Sequence, residues 1–472
     1  MVTMNEETSD WLKSNVSKEY FELIRFPSVG ADPAHLRDCL QCATWWREWL
    51  RKIGAETALM VPFLNPGDQG IDKSVPVVYA ERKGDEGAPT LLIYGHYDVQ
   101  PAEPLDAWKT PPFEPTVVGD RIYARGAQDD KGQSFAFLNG VLGGESSDEA
   151  SRVARRTMGL NVKVILDGQE ESGSTVLFEL LKDPAFRSKI AADVLLVCDT
   201  SAAADLRPAI VAGLRGVAHF TLKLSGANRD LHSGEYGGIA PNAAQEMAKL
   251  LDSFHNPDGS IAVAGFRDGI EPPSHDELRL AEIGMQSELD YEKDIGCEPC
   301  GGQIGKSIAQ RNCFEPTIEI NGMWSGHTGA GSKTIIPCEA FAKLSMRLVP
   351  GQTPRGAFAA VKAHVEHHCP KGMKAELLDF HPGSAGFRLP IASPIFRLAE
   401  EVLKEIDPRG PVFMWDGASI PVVSAIREAS GAAPLIVGWG QSEDRIHSPN
   451  ESYSVKQFKL AQLWGEKIAG AF

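Results

Sequence analysis

The chain has 472 residues, of which 43% are hydrophobic and 23% are charged, an ordinary balance for a globular protein long enough for two domains. Its formal net charge of -16 argues against nucleic acid as a partner, because an acidic surface repels phosphates. No apolar run approaches the ~20 residues that cross a bilayer, and the polar, acidic N-terminus does not resemble a secretory signal. We therefore predict a cytoplasmic protein with no membrane partner.

The first half of the chain predicts an α/β fold. Short, nearly unbroken apolar runs alternate with helical stretches, a pattern typical of strands that are buried on both faces of a parallel sheet. The runs are VPVVYAE, TLLIYG, VKVILDG and DVLLVCD, and a further one, APLIVGWG, lies at 433–440.

The pattern changes near Gly213, where apolar and polar residues begin to alternate. HFTLKLSG, PTIEING, AFAKLSMRLV and MKAELLDFH predict strands, and AAQEMAKLLDSFH and AFAAVKAHVEHHC predict helices. Their order is β-α-β-β-α-β, with a long Gly/Pro-rich excursion at 256–312. We therefore predict a doubly wound, mostly parallel catalytic domain (1–212 and 385–472) with an inserted α+β domain at 213–384.

Imidazole and carboxylate side chains follow five predicted strands, namely the runs TLLIYG, VKVILDG, DVLLVCD and APLIVGWG and the further strand RIYARG at 121–126. In open parallel sheets, ligands collect at the carboxyl ends of the strands. Singly, each residue reads as a loop, helix-capping or solvated residue, but together they would repel one another strongly unless cations lay among them. Histidine and carboxylate sets suit zinc, manganese or cobalt. The residues are His96, Asp98, Asp129, Asp130, Glu170, Glu171, Asp199 and His447.

Seven motifs, in this order along the chain, resemble those of a family of dinuclear metallopeptidases that includes aminoacylase, glutamate carboxypeptidase and carnosine dipeptidase. The strongest likeness is to the cytosolic nonspecific, carnosine-type dipeptidases. The motifs are GHYDVQP, ARGAQDDKG, DGQEESGS, VCDTS, RDLHSG, SMRLVP and IHSPNE.

The resemblance implies a site for two divalent metal ions, zinc in the first place and manganese or cobalt as alternatives. His96 and Asp199 would bind one ion, and Asp129 would bridge both ions. Glu171 and His447 would bind the other. In the same scheme, the residues that support the chemistry are Asp98, which orients the imidazole of the first histidine, and Glu170, which is the general base.

The resemblance also implies residues that bind the substrate. His232 would reach across a homodimer interface to stabilise the oxyanion, and Arg347 would bind a free carboxylate of the substrate. Thr334, Ala418 and Ser419 would hold the substrate. The inserted domain would serve as a lid and dimerisation domain, and its hinge closure would bring His232 and Arg347 to the metals.

The predicted activity is metal-dependent hydrolysis of peptide or amide bonds in dipeptides or similar small substrates with a free carboxylate. An N-acyl amino acid amidohydrolase and a glutamate-type carboxypeptidase are alternatives, and an inactive oligomeric scaffold is the non-enzyme alternative. The exact substrate stays open because Trp415-Asp416-Gly417 and His327 depart from the family pattern.

Two further motifs carry less weight. GGQIGKS lacks the first glycine of a phosphate-binding loop, which would stand at Cys300. Cys297 and Cys300 have C-x-x-C spacing, but no second cysteine pair lies near them in the chain, so two reduced loop cysteines are the simpler interpretation.

Overall fold

The computed structural model of the chain describes residues 5–61, 74–143, 159–203, 205–417 and 420–472. They fall into two compact units. The first unit lies within Met1–Ala212, Pro390–Phe413 and Ala425–Phe472, and the second within Gly213–Leu389 and Met414–Ser424. The segments 385–389 and Met414–Ser424 thus lie in the second unit, whereas the sequence analysis assigned them to the catalytic domain.

The strands are numbered in chain order. They are β1 (Glu56–Met60), β2 (Val77–Arg82), β3 (Thr90–His96), β4 (Thr116–Val118), β5 (Arg121–Tyr123), β6 (Asn161–Asp167), β7 (Val194–Val197), β8 (Ala209–Leu214), β9 (Gly216–Ser225), β10 (Leu231–His232), β11 (Thr317–Ser325), β12 (Ile335–Ile336), β13 (Glu339–Leu348), β14 (Lys374–Ser384), β15 (Phe387–Arg388), β16 (Val412–Asp416), β17 (Ala433–Ile436) and β18 (Ser452–Ser454).

The α-helices are numbered in the same way. They are α1 (Glu6–Trp11), α2 (Asn15–Ile24), α3 (Leu36–Lys52), α4 (Lys131–Leu142), α5 (Thr175–Leu180), α6 (Pro184–Lys189), α7 (Ser233–Tyr236), α8 (Ala243–Asp252), α9 (His275–Gly284), α10 (Glu288–Ile295), α11 (Pro354–His368), α12 (Pro394–Ile406), α13 (Pro421–Ser430) and α14 (Val455–Ala469). Short 3-10 turns lie at Pro33–His35, Leu105–Ala107, Glu170–Ser172 and Ser442–Asp444, and a π-helical turn at Gln310–Phe314. Among the described residues, no helix is both long enough and apolar enough to cross a membrane.

A large mixed sheet organises the first unit, which confirms the predicted α/β class. Its centre is the parallel set β6-β3-β7-β17, and β2 and β1 extend it antiparallel beyond β6. VPVVYAE, predicted as a parallel strand, is therefore the antiparallel β2. An unbroken apolar run predicts burial on both faces, and the first four residues of β2 are indeed buried, but it does not predict strand direction.

The RIYARG run is not a strand of this large sheet, contrary to the prediction. Its residues Arg121–Tyr123 form β5, which lies between β4 and β18 in a separate three-stranded antiparallel sheet. Asp129 consequently follows a small supporting sheet, and it reaches the site through the loop that precedes α4.

The second unit contains a four-stranded antiparallel sheet in the order β11-β13-β9-β14. Burial alternates along β9 and β13, and their inward residues pack against α8 and α11 to form one core. The 256–312 excursion contains α9 and α10, which the sequence analysis did not predict. α9 begins with a capping box formed by Ser274 and Glu277.

Candidate metal centre

His96, Asp129 and Asp199 form a first group of metal-ligand side chains. His96 is the last residue of β3, and Asp199 lies two residues beyond β7, so parallel pairing of these strands brings both to one edge of the sheet. The His96 Nε2 atom lies 3.1 Å from Asp129 Oδ1 and 3.6 Å from Asp199 Oδ2.

Asp129, Glu171 and His447 form a second group next to the first. The His447 Nε2 atom lies 2.9 Å from Asp129 Oδ2 and 3.3 Å from Glu171 Oε1. Asp129 thus belongs to both groups, and each of its carboxylate oxygens faces one of them. This is the arrangement that a carboxylate bridging two cations requires.

The spacing of the donor atoms fits metal binding. Within each group, one ligand atom from every residue lies within 4.8 Å of the others. Around a tetrahedral zinc ion with bonds of about 2.0–2.1 Å, neighbouring ligand atoms lie roughly 3.3 Å apart. The contacts of 2.9–3.6 Å among these side chains bracket that value, so both groups have the chemistry and the dimensions of a cation site.

The electrostatics of the metal-free site point the same way. Burial raises the pKa of Asp199 to about 7, opposed by the His96 ring and reinforced by the charge of Asp129. Hydrogen bonds to Asp129 and Glu171 raise the pKa of the His447 ring to about 10. The raised pKa values mean that Asp199 and His447 bind protons tightly, because the surrounding carboxylates attract positive charge. The same attraction would favour a metal cation at this place.

Asp98 connects the first histidine to the glutamate pair. Its Oδ1 atom lies 3.3 Å from His96 Nδ1 and accepts the backbone N–H of Glu170 at 3.1 Å. Its Oδ2 atom accepts the N–H of Glu171, also at 3.1 Å. His96 Nδ1 also lies 3.1 Å from the Asp98 carbonyl oxygen, so a proton on Nδ1 has acceptors there and Nε2 would be left for a metal. Burial raises the pKa of Glu170, whose carboxylate belongs to neither group, to about 8.

The loop 441–451 presents His447. Asp444, fully buried, accepts the backbone N–H of Gln441 and the Nε2–H of Gln457, each at 2.7 Å. The Asn450 side chain donates to the Ala107 carbonyl oxygen at 2.9 Å. The loop is therefore fixed on both sides of the histidine.

Comparison with known protein families agrees with the motifs and with the geometry of the two ligand groups. Residues 92–467 match the model of peptidase family M20/M25/M40. The chain belongs to this family. The resemblance inferred from the motifs is confirmed.

This M20 peptidase has relatives that match over nearly its whole length. It is 28% identical to the Beta-Ala-His dipeptidase of Homo sapiens, over 95% of this chain and 87% of that protein. It is also 28% identical to the Cys-Gly metallodipeptidase of Schizosaccharomyces pombe, over 96% of this chain and 94% of that protein. An M20 family metallo-carboxypeptidase from Sulfolobus solfataricus has a similar structure, with a TM-score of 0.81 and 27% identity over 97% of this chain and 99% of that one.

The second unit of the M20 peptidase carries the predicted substrate residues His232, Thr334 and Arg347. His232 lies on β10, is exposed, and accepts the Gly234 N–H at Nδ1, 3.1 Å away. The carbonyl oxygen of Thr334 accepts the Ser233 N–H at 3.1 Å, so His232 and Thr334 lie on paired segments. Arg347 is half-buried on β13, opposite residues of β9 and β11.

His327 and the pair Cys297 and Cys300 also lie in the second unit. Ala418 and Ser419 are outside the described residues. His327 is exposed, and its Nε2 atom lies 3.3 Å from the Ala330 carbonyl oxygen. Cys297 and Cys300 are exposed free cysteines.

The sequence analysis missed three supporting residues in the first unit. Gln100 donates to Glu171 Oε2 at 2.7 Å, Asp444 holds the histidine loop, and Glu451 binds the loop before α4. Each lies within or beside a motif that was quoted for other residues, and spacing alone does not show which backbone donors a side chain will meet.

Proposed function

We propose that this M20 peptidase hydrolyses the peptide bond of dipeptides and similar small substrates that carry a free carboxylate. The observation that carries the proposal is the Asp129 carboxylate, whose two oxygens each face one group of metal ligands. Relatives named as Beta-Ala-His dipeptidase and Cys-Gly metallodipeptidase support dipeptides as the substrate class.

Two divalent ions would be held by five side chains. One would be bound by His96 and Asp199, the other by Glu171 and His447, and both by Asp129. When bound, such ions lower the pKa of water and polarise a carbonyl oxygen. Zinc fits this donor set best, and manganese and cobalt fit it as well.

Glu170 would act as the general base. Its backbone N–H is held by Asp98, and its partly buried carboxylate is not committed to either ligand group. It would take a proton from the attacking water and then give that proton to the leaving amine nitrogen as the C–N bond breaks. The two adjacent glutamates would thus have different roles, because a cation would fix Glu171 whereas Glu170 would remain free to move a proton.

The second unit would bind the substrate and form the dimer. Arg347 would bind the free carboxylate, since a guanidinium pairs with both oxygens. His232 would stabilise the oxyanion across a homodimer interface, and Thr334, Ala418 and Ser419 would contact the substrate. The unit would serve as lid and dimerisation domain.

A cytoplasmic location fits the cysteines. All eight are free, and three of them are buried in the first unit at Cys39, Cys42 and Cys198. Unpaired cysteines are typical of proteins from a reducing compartment.

A carboxypeptidase is the second candidate, favoured by the similarity to the Sulfolobus solfataricus metallo-carboxypeptidase. N-acyl amino acids are a further substrate class that shares the free carboxylate. These candidates differ in whether the substrate needs a free amine at its other end.

A substrate panel on metal-stripped protein, with zinc, manganese or cobalt added back, tests the proposal. We expect Ala-Ala, Cys-Gly and β-Ala-His type dipeptides to be cleaved only when metal is present, and N-acetylated versions to be poor substrates. Preferred cleavage of N-acylated or longer peptides would favour the second candidate. Equal turnover with and without metal would refute the proposal.

A further inference from the structure

Glu451 is a fully buried carboxylate for which the proposed mechanism has no role. Its Oε1 atom accepts the backbone N–H of Gln128 at 2.9 Å and that of Asp129 at 3.1 Å. Glu451 also lies four residues after His447 in the chain. One side chain therefore connects the segment that carries the bridging carboxylate to the loop that carries a ligand of the second group.

The other carboxylate oxygen binds the same segment. Glu451 Oε2 accepts the Gly126 N–H at 2.9 Å and the Arg125 Nη1–H at 2.8 Å. The Glu451 backbone carbonyl accepts the Ala124 N–H at 3.2 Å. The segment 124–129 thus gives four backbone N–H groups and one guanidinium to a single residue, which fixes its path.

The orientation of Asp129 depends on that path. Within the part of the chain that the structure describes, its carboxylate contacts the rings of His96 and His447, which are themselves candidate ligands. Glu451 holds the backbone N–H of Asp129 and therefore fixes the point from which the Asp129 carboxylate reaches both rings.

We propose that Glu451 is the positioning residue for the bridging carboxylate of Asp129. We further propose that it determines whether an ion binds to the second ligand group (Asp129, Glu171 and His447), hereafter the second ion. This inference rests on the proposed two-metal function. Residues that orient metal ligands typically contribute about 10–100-fold to metal affinity. A merely structural Glu451–Arg125 ion pair would instead stabilise the fold and leave metal affinity unchanged.

Glu451→Gln tests the proposal with little change in volume. The amide oxygen will remain with Arg125, because an NH2 group facing a guanidinium is unfavourable. The NH2 group then faces the N–H groups of Gln128 and Asp129, which lose their acceptor. Glu277→Gln is the matched control, since Glu277 is a buried glutamate of the second unit that pairs with Arg388 at 3.1 Å and accepts the Ser274 N–H at 2.7 Å.

The measurement is calorimetric titration of metal-stripped full-length protein with Co²⁺, together with the melting temperature of each metal-free variant. We expect two ions to bind to wild type and to Glu277→Gln, and affinity for the second ion to fall about 10–100-fold in Glu451→Gln. Wild-type affinity for both ions in Glu451→Gln would overturn the proposal. Fewer than two ions on wild type would instead refute the two-metal function itself.

A second variant covers the case in which Glu451→Gln does not fold. Arg125→Met/Glu451→Met removes both charges of the buried pair, a replacement that proteins often tolerate. We expect it to fold with a melting temperature below that of wild type, because the N–H groups of Gly126, Gln128 and Asp129 lose their acceptor, and to bind the second ion at least tenfold more weakly. Unchanged affinity in this double variant would overturn the proposal.

Discussion

Asp98 shows how much of the site a single buried carboxylate can organise. It faces the ring of His96 and accepts the backbone N–H groups of Glu170 and Glu171. Asp98→Asn keeps the shape, but its NH2 group cannot accept a hydrogen bond, so one of these donors loses its partner. We expect metal affinity to fall about 10–100-fold, measured by equilibrium dialysis against zinc.

The control for this variant is a carboxylate that contacts the opposite end of the same strand. Asp193 accepts the Thr90 N–H at 2.8 Å, at the start of β3, whereas Asp98 lies just past its end. Asp193→Asn removes an exposed carboxylate that accepts a backbone N–H at the distant end of the strand. It should bind zinc as wild type does, and equal losses in the two variants would show that the strand, and not the site, had been disturbed.

Glu170 has a different proposed role, in which it moves a proton and binds no metal. Glu170→Gln should keep both ions and lose about 10²–10⁴-fold in kcat, because the amide cannot accept the proton of water. Metal content and dipeptide turnover, measured on the same sample, check this. The exposed Glu179, which pairs with Lys182, gives a control variant, Glu179→Gln, with wild-type rate. A Glu170→Gln enzyme with near-normal kcat would assign the base elsewhere.

At the scale of elements, Gly168, which precedes the 3-10 turn Glu170–Ser172, packs so closely against Gly30 that a side chain at position 30 does not fit. A Cβ atom on Gly30 would lie 2.5 Å from the Gly168 carbonyl oxygen and 2.7 Å from Asp98 Oδ2. Gly30→Ala should therefore displace Asp98 and destabilise the protein by about 1–3 kcal/mol, with weaker metal binding.

Chemical denaturation and a zinc titration measure both effects in this glycine variant. Gly301→Ala is the matched control, because nothing lies within 4 Å of a Cβ atom at that position. It should denature at the wild-type midpoint. If Gly30→Ala binds zinc normally while losing stability, the close packing supports the fold but not the site.

The apolar runs predicted the central strands well, and the reason is physical. TLLIYG, VKVILDG and DVLLVCD are buried on both faces, so hydrophobicity alone marks them. The same signal failed at VPVVYAE, because burial does not encode direction. It also failed at RIYARG, where three residues suffice for a small sheet whose partner, β18, lies more than 300 positions away along the chain.

The residues of the candidate site likewise fall into those that the sequence predicts and those that it does not. His96 and Asp199 were predictable because they follow strands directly, and a parallel sheet brings strand ends together. Asp444 and Glu451 were not, because their contacts are with backbone N–H groups and side chains whose positions only the folded loops define. Asp130 shows the same limit: it stands beside Asp129, yet it accepts the backbone N–H of His96 at 3.2 Å and belongs to neither group.

At the scale of the whole molecule, the acidic site predicts how stability depends on pH without metal. The pKa values of Asp199 and Glu170 are raised to about 7 and about 8 in the folded protein. A raised pKa means that the folded state binds the proton more tightly, so this stabilisation is full below about pH 4 and is lost as pH rises. We expect metal-stripped protein to lose several kcal/mol of stability between pH 5 and pH 8, because both groups keep their protons in the folded state over most of this range.

Added metal should reverse that loss. Cations replace the protons, so the increase in melting temperature on adding zinc should grow steadily from pH 5 to pH 8. Thermal melts with zinc and with a chelator at each pH measure this increase. Glu170→Gln, which removes one of the two titrating groups, should show a flatter pH dependence in the chelator. A zinc effect that is constant with pH would place the cations away from these carboxylates.

The spread of the ligands along the chain has a consequence for synthesis on the ribosome. Four of them, from His96 to Asp199, precede the second unit, whereas His447 follows it and lies 318 positions after Asp129. A nascent chain therefore exposes an incomplete, strongly acidic set of side chains until residue 447 has been made. Binding of the second ion then has to wait for that residue, and a polypeptide halted before it carries the first group of ligands but lacks the histidine of the second.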